Sequence, residues 1–478
     1  MHINDLPYEI LSAILEETAR ANVDEGVSWT YGLSHAFTPL QESKRLSRYI
    51  KGPASADTLR WDETSAIRQV CGVWHKWALS HALENLYIRR WRGSERWAEL
   101  STSRKRYDIY ELIENPSGCA VYRDPYQTLR VTASFLSQHP PATDNIRRVW
   151  FNGFYTPEAE TMIFKVMRSC RLLTSVSVPW TVLRHGDGQD WRHLLGIAHP
   201  EDVPVRSLEL QAVCLPDVLT SDSRVASDRK ALQDPRVDFG QLKRLKIFGN
   251  TTFMPINDDD LADIACTANG LEEFHLTCLS TVSIKGVMDI VKASQSTIRV
   301  LEHSPRSDDG FFHPDPGSLN TDEHICEILV DCPKLKDLSI SVPTMCSHLF
   351  SNEDVLWQGE CQVRAMNLCG GSGDTKIQKL RKLLDSARNL ITSQRRQHKD
   401  LDIELFFADC IFDPRDCVVH GYFELVEISS YGQWPSTKTS SSKGPYGSTG
   451  LYGKDEGDWD IVSEEEFFRA VNAGWIKI

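Results

Sequence analysis

The sequence predicts an α/β protein in which a small all-helical module precedes a solenoid-like region of repeated strands and helices. Three observations predict it. Apolar residues recur at helical spacing in two segments near the amino end. A six-residue phrase with apolar positions 1, 4 and 6 recurs eight times between residues 146 and 368. Segments with helical spacing and capping residues lie between several of these phrases.

The first amphipathic segment, residues 4–20, is predicted to be a helix that begins near Leu6 and Pro7. Proline suits the first helical position, because the N–H that it lacks has no partner there. Asp5 and Glu9 place negative charge near the helix start, where exposed N–H groups favour it. The apolar stripe of this helix consists of Ile10, Leu11, Ile14 and Leu15.

The second segment is predicted to be one helix from about residue 63 to residue 86. Its apolar face consists of Ile67, Val70, Cys71, Trp74 and Ala78. Residues 21–62, which lie between the two segments, are predicted to be a loop inserted at a surface turn. Two helices of this length cannot bury all their apolar surface, so part of it is predicted to contact a partner or the next domain.

The phrase L-P-x-E-I-L at residues 6–11 and the phrase V-C-x-x-W at residues 70–74 resemble the F-box. The F-box is the adaptor-docking domain of cullin–RING (SCF-type) ubiquitin ligases. The resemblance covers residues 4–20 and 63–86, and the long insert departs from the family pattern. It implies an adaptor-binding surface formed or supported by Leu6, Pro7, Ile10, Leu11, Ile14, Val70 and Trp74. The alternative is an ordinary amphipathic helix followed by a tryptophan-rich core helix.

The repeated phrases begin at residues 146, 173, 205, 242, 271, 298, 335 and 363. Positions 4 and 6 point to the same side of an extended strand, with a polar residue usually between them. Helices are predicted to begin at Pro157, after Asn257, after Ser283 and after Thr321. A strand, a turn and a helix at a period near 30 residues predict a solenoid. Its parallel sheet would be curved, with helices outside and a concave face and loop ends open to a partner.

The phrase L-x-x-L-x-L resembles the leucine-rich repeat, and the copy that starts at Leu242 also has the terminal Asn of that pattern at Asn250. Most other copies lack this Asn, and His303 stands at an apolar position. Insertions are expected at about 183–204, 214–238 and 303–320. An ordinary α/β domain with parallel strands would produce the same local patterns, so it stays open as an alternative.

Four regions follow from these patterns: an F-box at 1–90, a linker with N-cap helices at 91–145, repeats at 146–410, and a carboxyl-terminal cap at 411–478. A helix over 375–396 and a strand over 401–407 are predicted to close the repeats. Residues 435–457 are rich in Ser, Gly, Lys and Thr and are predicted to be flexible. Ser463 and Glu466 form a capping-box pattern that opens a short helix. The pattern leaves open whether this last piece docks on the repeats or is a separate interaction peptide.

Composition excludes several classes of protein. A formal charge of −13 and a pI near 5.6 argue against a general nucleic-acid binder. No apolar run is long enough to span a bilayer, and acidic residues near the start argue against a secretory signal. The 13 cysteines are scattered and odd in number, which is typical of reduced thiols. The chain is therefore expected in the cytoplasm, the nucleus or both.

No pattern of catalytic or metal-binding residues stands out, so we predict no catalytic residue, no metal site and no cofactor. Cys410, Cys417 and His420 lack the C-x-x-C pair that would complete a zinc site. The acidic run at 258–260 lacks the alternating ligands and closing Glu of a calcium loop, and helix-terminus charge explains it better.

The function predicted from the resemblance is substrate recognition in an SCF-type ubiquitin ligase. The expected partners are a Skp-type adaptor, through it a cullin–RING ligase, and an unknown target protein, with no nucleic acid and no membrane. Two alternatives remain: a repeat-based interaction scaffold outside any ligase, and an enzyme on an α/β domain. An F-box with a long insert and weak repeats is similar to the large fungal F-box families.

Overall fold

The computed structural model confirms an α/β protein in which helices alternate with strands of parallel sheet. The chain divides into two compact units, Met1–Leu208 and Glu209–Ile478, so the boundary falls inside the predicted repeat region. The described residues are 3–27, 64, 66–89, 103–107, 110–115, 118–123, 126–152, 157–212, 231–251, 256–279, 281–304, 317–319, 323–368, 373–412, 417–425, 430–435, 459–474 and 476–477.

The first unit begins with the two predicted helical segments, but both have different bounds from those expected. Helix α1 spans Tyr8–Val27, so it continues into the first residues of the predicted insert; residues 28–62 lie outside the described part of the chain. The second segment is not one helix. A short 3₁₀ turn, Ile67–Gln69, precedes helix α2, Gly72–Glu84. The two are separate elements because Cys71 between them has an extended backbone (φ −161°, ψ 172°).

Helix α2 leads directly into a strand, which the sequence analysis had assigned to the end of the helix. Strand β1 spans Asn85–Arg89 and pairs in parallel with a later strand. Its Tyr87 and Ile88 favour extended structure, and Ile88 is buried in the sheet.

The region 91–145, expected as a linker with helices, contains strands as well. Strands β2, β3 and β4 form an antiparallel sheet over Ser103–Tyr107, Tyr110–Asn115 and Gly118–Arg123. Helix α3, Gln127–Gln138, and helix α4, Pro140–Thr143, follow.

The parallel sheet of the first unit contains β1, then β5 (Arg148–Asn152), then β6 (Ser175–Pro179). The predicted helix α5, Pro157–Ser169, lies between β5 and β6 in the chain. The expected insertion at 183–204 holds helices α6, Val182–His185, and α7, Gly188–Leu194, so this part is regular structure. Strand β7, Ser207–Ala212, contains the boundary between the units.

The second unit continues the alternation of strands and helices. Its parallel strands are β8 (Arg244–Thr251), β9 (Glu273–Leu279), β10 (Val300–Ser304), β11 (Asp337–Met345), β12 (Gly359–Leu368) and β13 (Leu401–Phe412). The helices between them are α8 (Asp258–Ala265), α9 (Ile284–Ala293), α10 (Ile325–Val330) and α11 (Gly373–Arg396).

Equivalent positions of successive phrases stand side by side in this sheet. Position 4 is aligned and buried across four strands at Leu245, Phe274, Leu301 and Leu338. Position 6 is aligned and buried across three strands at Ile247, Leu276 and His303. His303 thus keeps the register of an apolar residue, and its Nδ1 lies 3.1 Å from the Ser341 carbonyl oxygen, which satisfies the buried nitrogen.

The eighth phrase, expected to place Met366 and Leu368 at positions 4 and 6, was read in the wrong register. Ile340 at position 6 of the seventh phrase pairs with Val363, so the equivalent of position 4 is Cys361. Both residues are fully buried. The apolar pattern was ambiguous here because buried side chains occur at consecutive positions along the strand, including Gln362 and Arg364.

The carboxyl-terminal part packs on the end of this sheet. Strands β14 (Cys417–Leu425), β15 (Ser430–Pro435) and β16 (Trp459–Ser463) add antiparallel pairs, and β17 (Ile476–Lys477) pairs with β13. Helix α12, Glu464–Asn472, buries Phe467 and Phe468. Arg388 of α11 contacts Glu464 at 2.7 Å, so the last helix docks instead of standing apart. The segment 436–457 lies outside the described residues.

Three of the predicted helix starts use the expected caps. Asn257 and Ser463 each form a capping box with the residue three positions later, and the Ser283 hydroxyl accepts the Lys285 N–H at 3.2 Å. Thr321 lies outside the described residues, and helix α10 begins later, after His324. The acidic residues at 258–260 stand in the first turn of α8, as helix-terminus charge predicts.

Two expectations from composition are tested in part. Among the described residues, no helix combines the length and the apolar character that crossing a bilayer requires. Within the described part of the chain, seven cysteines are free thiols, and four of them are buried: Cys170, Cys326, Cys332 and Cys361.

The shared register of the phrases leads to a stability prediction. Leu276→Ala removes a fully buried side chain at position 6, so it should lower the free energy of unfolding by about 2–5 kcal/mol. Lys334→Ala, at an exposed residue just outside β11, should change it by less than about 0.5 kcal/mol. Urea denaturation followed by circular dichroism measures both, and equal losses would contradict the aligned apolar face.

Candidate functional site

The helices α1 and α2 share a small core of their own. Its buried members are Leu11, Leu15, Ala19, Ile67, Trp77 and Ala78, and the half-buried Trp74 packs against them. The α1 members recur every four residues, so they form one stripe along the helix. Of the four residues predicted to form the apolar stripe of this helix, Leu11 and Leu15 therefore face the core.

Two tryptophan side chains fasten the helices to each other through hydrogen bonds. The Trp77 indole N–H donates to the Ser12 hydroxyl at 2.8 Å, and the Trp74 indole N–H donates to the Asn4 side-chain oxygen at 2.9 Å. A buried indole needs such a partner, because an unpaired N–H in an apolar setting costs free energy. These hydrogen bonds also place the amino-terminal ends of both helices on the same side of the helical pair, because Asn4 contacts Trp74 and Ser12 contacts Trp77.

The structure divides the seven residues expected to bind an adaptor into an inner and an outer group. Leu11 is buried (3% exposed), so it supports the surface from inside. Leu6 and Trp74 are half-buried. The remaining four are exposed to solvent: Pro7, Ile10 (50%), Ile14 and Val70 (57%).

Further apolar side chains join the exposed group, and the sequence analysis missed them. They are Ile3, Tyr8 and Val73. Val73 had a recognisable signal, because it stands between Val70 and Trp74 at the start of α2. We call the exposed residues Ile3, Pro7, Tyr8, Ile10, Ile14, Val70 and Val73 the amino-terminal apolar surface. Their concentration where both helices begin is typical of a protein-docking surface.

The opposite side of the strands in the second unit carries a row of polar side chains. These residues alternate with the apolar positions, and most stand at position 5 of their phrase. The row consists of Lys246, His275, Glu302, Ser339, Gln362 and Glu404. All six are buried, so at these positions the sheet face expected to be open to a partner is covered.

Complementary partners hold this polar row together. Lys246 Nζ lies 3.5 Å from Glu209, and His275 Nδ1 lies 2.6 Å from Glu302. Gln362 donates its side-chain N–H to Glu404. Burial lowers the pKa of Lys246, while Glu209 and Glu302 act in the opposite direction. The row therefore links neighbouring strands, as buried polar groups must find partners.

Arg364 lies on the same face of the sheet as this row, two residues after Gln362 in β12. Its guanidinium is almost fully buried and donates to the Ser341 hydroxyl at 2.8 Å and to the His303 carbonyl oxygen at 2.6 Å. Arg364 thus reaches from β12 across β11 to β10. A planar donor with several N–H groups is suited to such a span.

A cluster of charged side chains lies at the start of β8 and β9. Arg244 Nε donates to Glu273 at 2.6 Å, and His275 Nε2 lies 3.4 Å from the same carboxylate oxygen. The hydrogen bond from His275 and then those with Arg244 lower the pKa of Glu273 to about 2 from its ordinary 4.5. With a carboxylate at each ring nitrogen, His275 can donate to both only as the charged imidazolium.

The comparisons with known proteins assign no family. No family model matches the chain, and no curated protein matches it.

The division of the amino-terminal residues predicts losses of stability that differ in size. Leu15→Ala opens a cavity in the helical core and should lower the free energy of unfolding by about 2–5 kcal/mol. Ile10→Ser changes a half-exposed side chain and should cost less than about 0.5 kcal/mol. Chemical denaturation of the full chain measures both; a loss at Ile10 equal to that at Leu15 would show that Ile10 is covered.

The lowered pKa of Glu273 predicts a contribution to acid stability. A carboxyl with a folded pKa below its unfolded value stabilises the protein above about pH 4.5. That stability is lost as the pH falls toward 2. Glu273→Gln should be less stable than the wild type at pH 7, and the difference should shrink between pH 4.5 and pH 2. Denaturation midpoints across this range test it, with the exposed Glu465→Gln as control; a difference independent of pH would be the contrary result.

Proposed function

We propose that this protein is the substrate-recognition subunit of an SCF-type E3 ubiquitin ligase. The helices α1 and α2 dock a Skp-type adaptor, and the repeats bind the target protein. The observation that carries the proposal is the amino-terminal apolar surface. Apolar side chains of the two F-box-like phrases stay exposed, while their neighbours Leu11 and Trp77 form a core beneath them.

An exposed apolar surface supports docking for an energetic reason. Burying one Val, Leu or Ile side chain contributes about 1.5–3 kcal/mol relative to leaving it in water. Ile10 and Ile14 on α1, Val70 before α2 and Val73 in the first turn of α2 offer this contribution to a partner. A polar solvent-facing surface would offer much less.

The connection between the helices and the sheet supports a positioning role. Helix α2 ends at Glu84 and strand β1 begins at Asn85, so no linker separates them. The Arg147 N–H donates to the Glu84 carbonyl oxygen at 3.0 Å, which ties this junction to the chain that enters β5. An adaptor docked on α1 and α2 would therefore be held in a fixed orientation relative to the sheet of the first unit.

For the repeats, we propose the leucine-rich-repeat type of solenoid. The shared register of positions 4 and 6 and the helix between successive strands support it. The buried polar row directs the target toward the loop ends and the outer helices instead of the sheet face at these positions.

The mechanism is proximity, and the protein does no chemistry of its own. A receptor that holds a lysine-bearing target beside a charged conjugating enzyme raises the effective concentration of the lysine. This role requires no cofactor, and the proposed location is the cytoplasm, the nucleus or both.

A second candidate is a repeat-based interaction scaffold outside any ligase. The break at Cys71 favours it, because the V-C-x-x-W phrase does not lie on one continuous helix. The two candidates differ in adaptor binding.

Copurification of the full-length chain with a purified Skp-type adaptor tests the proposal. The double variant Ile10→Ser and Val70→Ser should weaken adaptor binding at least tenfold, because it removes two exposed apolar contacts. Titration calorimetry of each variant with the adaptor gives the affinities.

The matched control is Val131→Ser with Phe135→Ser, since these side chains are equally exposed (60% and 45%) but lie on α3. This control should bind the adaptor like the wild type. Absence of adaptor binding in the wild type, or equal binding by both double variants, would reject the ligase role and favour the scaffold.

A further inference from the structure

We propose that His324, Cys326, Cys346 and His348 form a structural zinc site in the second unit. This inference goes beyond the proposed ligase role and does not depend on it. The sequence predicts no metal site by C-x-x-C spacing, because these cysteines lie far apart in the chain.

The four residues come from two short segments that the fold brings together. His324 precedes helix α10 and Cys326 stands in its first turn. Cys346 directly follows the last residue of β11, and His348 lies in the turn that comes next. The segments have the patterns H-x-C and C-x-H, and 19 residues lie between the two cysteines. Each segment supplies one imidazole and one thiol, the ligands that zinc prefers.

The sulfur–sulfur distance and the distance from Cys346 to His348 suit a tetrahedral zinc ion. The two sulfur atoms lie 3.9 Å apart, and Cys346 Sγ lies 3.6 Å from His348 Nδ1. Zinc bonds of 2.3 Å to sulfur and about 2.0 Å to nitrogen imply separations of about 3.8 Å and 3.5 Å in a tetrahedron. The ligand atoms of His324, Cys326 and Cys346 all lie within 4.8 Å of one another; His348 lies outside this group and has to move toward the other two ligands to complete the site. His324 Nδ1 is 2.7 Å from Cys326 Sγ, so this pair must open by less than about 1 Å around the ion.

The surroundings fit a structural site at the edge of the protein. Cys326 is buried, His324 and Cys346 are half-buried, and His348 is exposed, which leaves a path for the ion. The His348 backbone N–H lies 3.4 Å from Cys346 Sγ, an outer-shell contact that suits a coordinated thiolate. Lys382 Nζ contacts His348 Nε2 at 2.8 Å; this exposed lysine has to turn away when His348 binds zinc through Nδ1 and keeps a proton on Nε2.

Zinc at this place would join the start of α10 to the end of β11. A four-ligand site leaves no open position for substrate, so its role is stability of this part of the second unit. The other cluster, His193, His199 and Asp202, has no thiol, and the Asp202 carboxylate already accepts the His199 backbone N–H at 3.0 Å. It serves as a comparison within the same chain.

The test is metal binding by the reduced full-length chain. After chelation, the wild type should take up one zinc per chain by elemental analysis and should show the thiolate-to-metal absorption of tetrahedral Co²⁺ when Co²⁺ replaces zinc. Cys326→Ser and Cys346→Ser should each lower zinc affinity more than 100-fold, since loss of a ligand exceeds the 10–100-fold effect of outer-shell changes. Zinc should also raise the thermal midpoint of the wild type and not that of these variants.

Two controls separate the site from other metal-binding groups. Cys266→Ser changes an exposed thiol elsewhere and His199→Ala changes the comparison cluster, and both should keep the bound zinc. If a cysteine variant fails to fold, His348→Gln at an exposed position should fold and still bind zinc more weakly. Zinc content that is unchanged in the Cys326 and His348 variants would overturn the proposal. So would a reduced chain that gives no Co²⁺–thiolate absorption, or one whose Cys326 and Cys346 pair only as a disulfide.

Discussion

Side-chain alternation in strands that pair in parallel and in register is the constraint on which the second unit depends. Because successive residues point to opposite faces, aligning position 4 with position 4 places the apolar side chains at positions 4 and 6 on one face. The same alignment places position 5 on the other face. Lys246, His275 and Glu302 therefore become neighbours although about 28 residues separate each from the next. The apolar face and the polar row are two consequences of one register.

The amino-terminal helices follow a similar division on a smaller scale. Residues four apart on α1 face the core, and their neighbours Ile10 and Ile14 stay in solvent. The two indole hydrogen bonds hold this arrangement without help from the exposed side chains. Core packing and solvent exposure thus fall to different residues of the same short phrase. Under the proposed docking role, this separation would let the exposed side chains change while the helical pair keeps its core.

Much of the fold could be predicted from spacing along the chain, and the exceptions have physical causes. The strands of seven phrases and the helices at Pro157, after Asn257 and after Ser283 are where their patterns placed them. The eighth phrase was misread because β12 is buried on both faces, and a strand without alternation has no readable register. Strand β1 was missed because its few residues continue the apolar pattern of α2, and only pairing with β5 makes them extended.

The candidate sites show the same limit. The sequence identified the phrases that contain the amino-terminal apolar surface, but exposure depends on which side of each helix meets the other. Leu11 and Ile10 are adjacent in the chain, and packing alone buries the first and exposes the second. The approach of His324 and Cys326 to Cys346 depends on the end of β11 lying beside the start of α10. Local periodicity specifies elements and their apolar sides, because it acts within one helix or strand. Contacts between distant segments arise only in the folded chain, because they depend on how those elements pack.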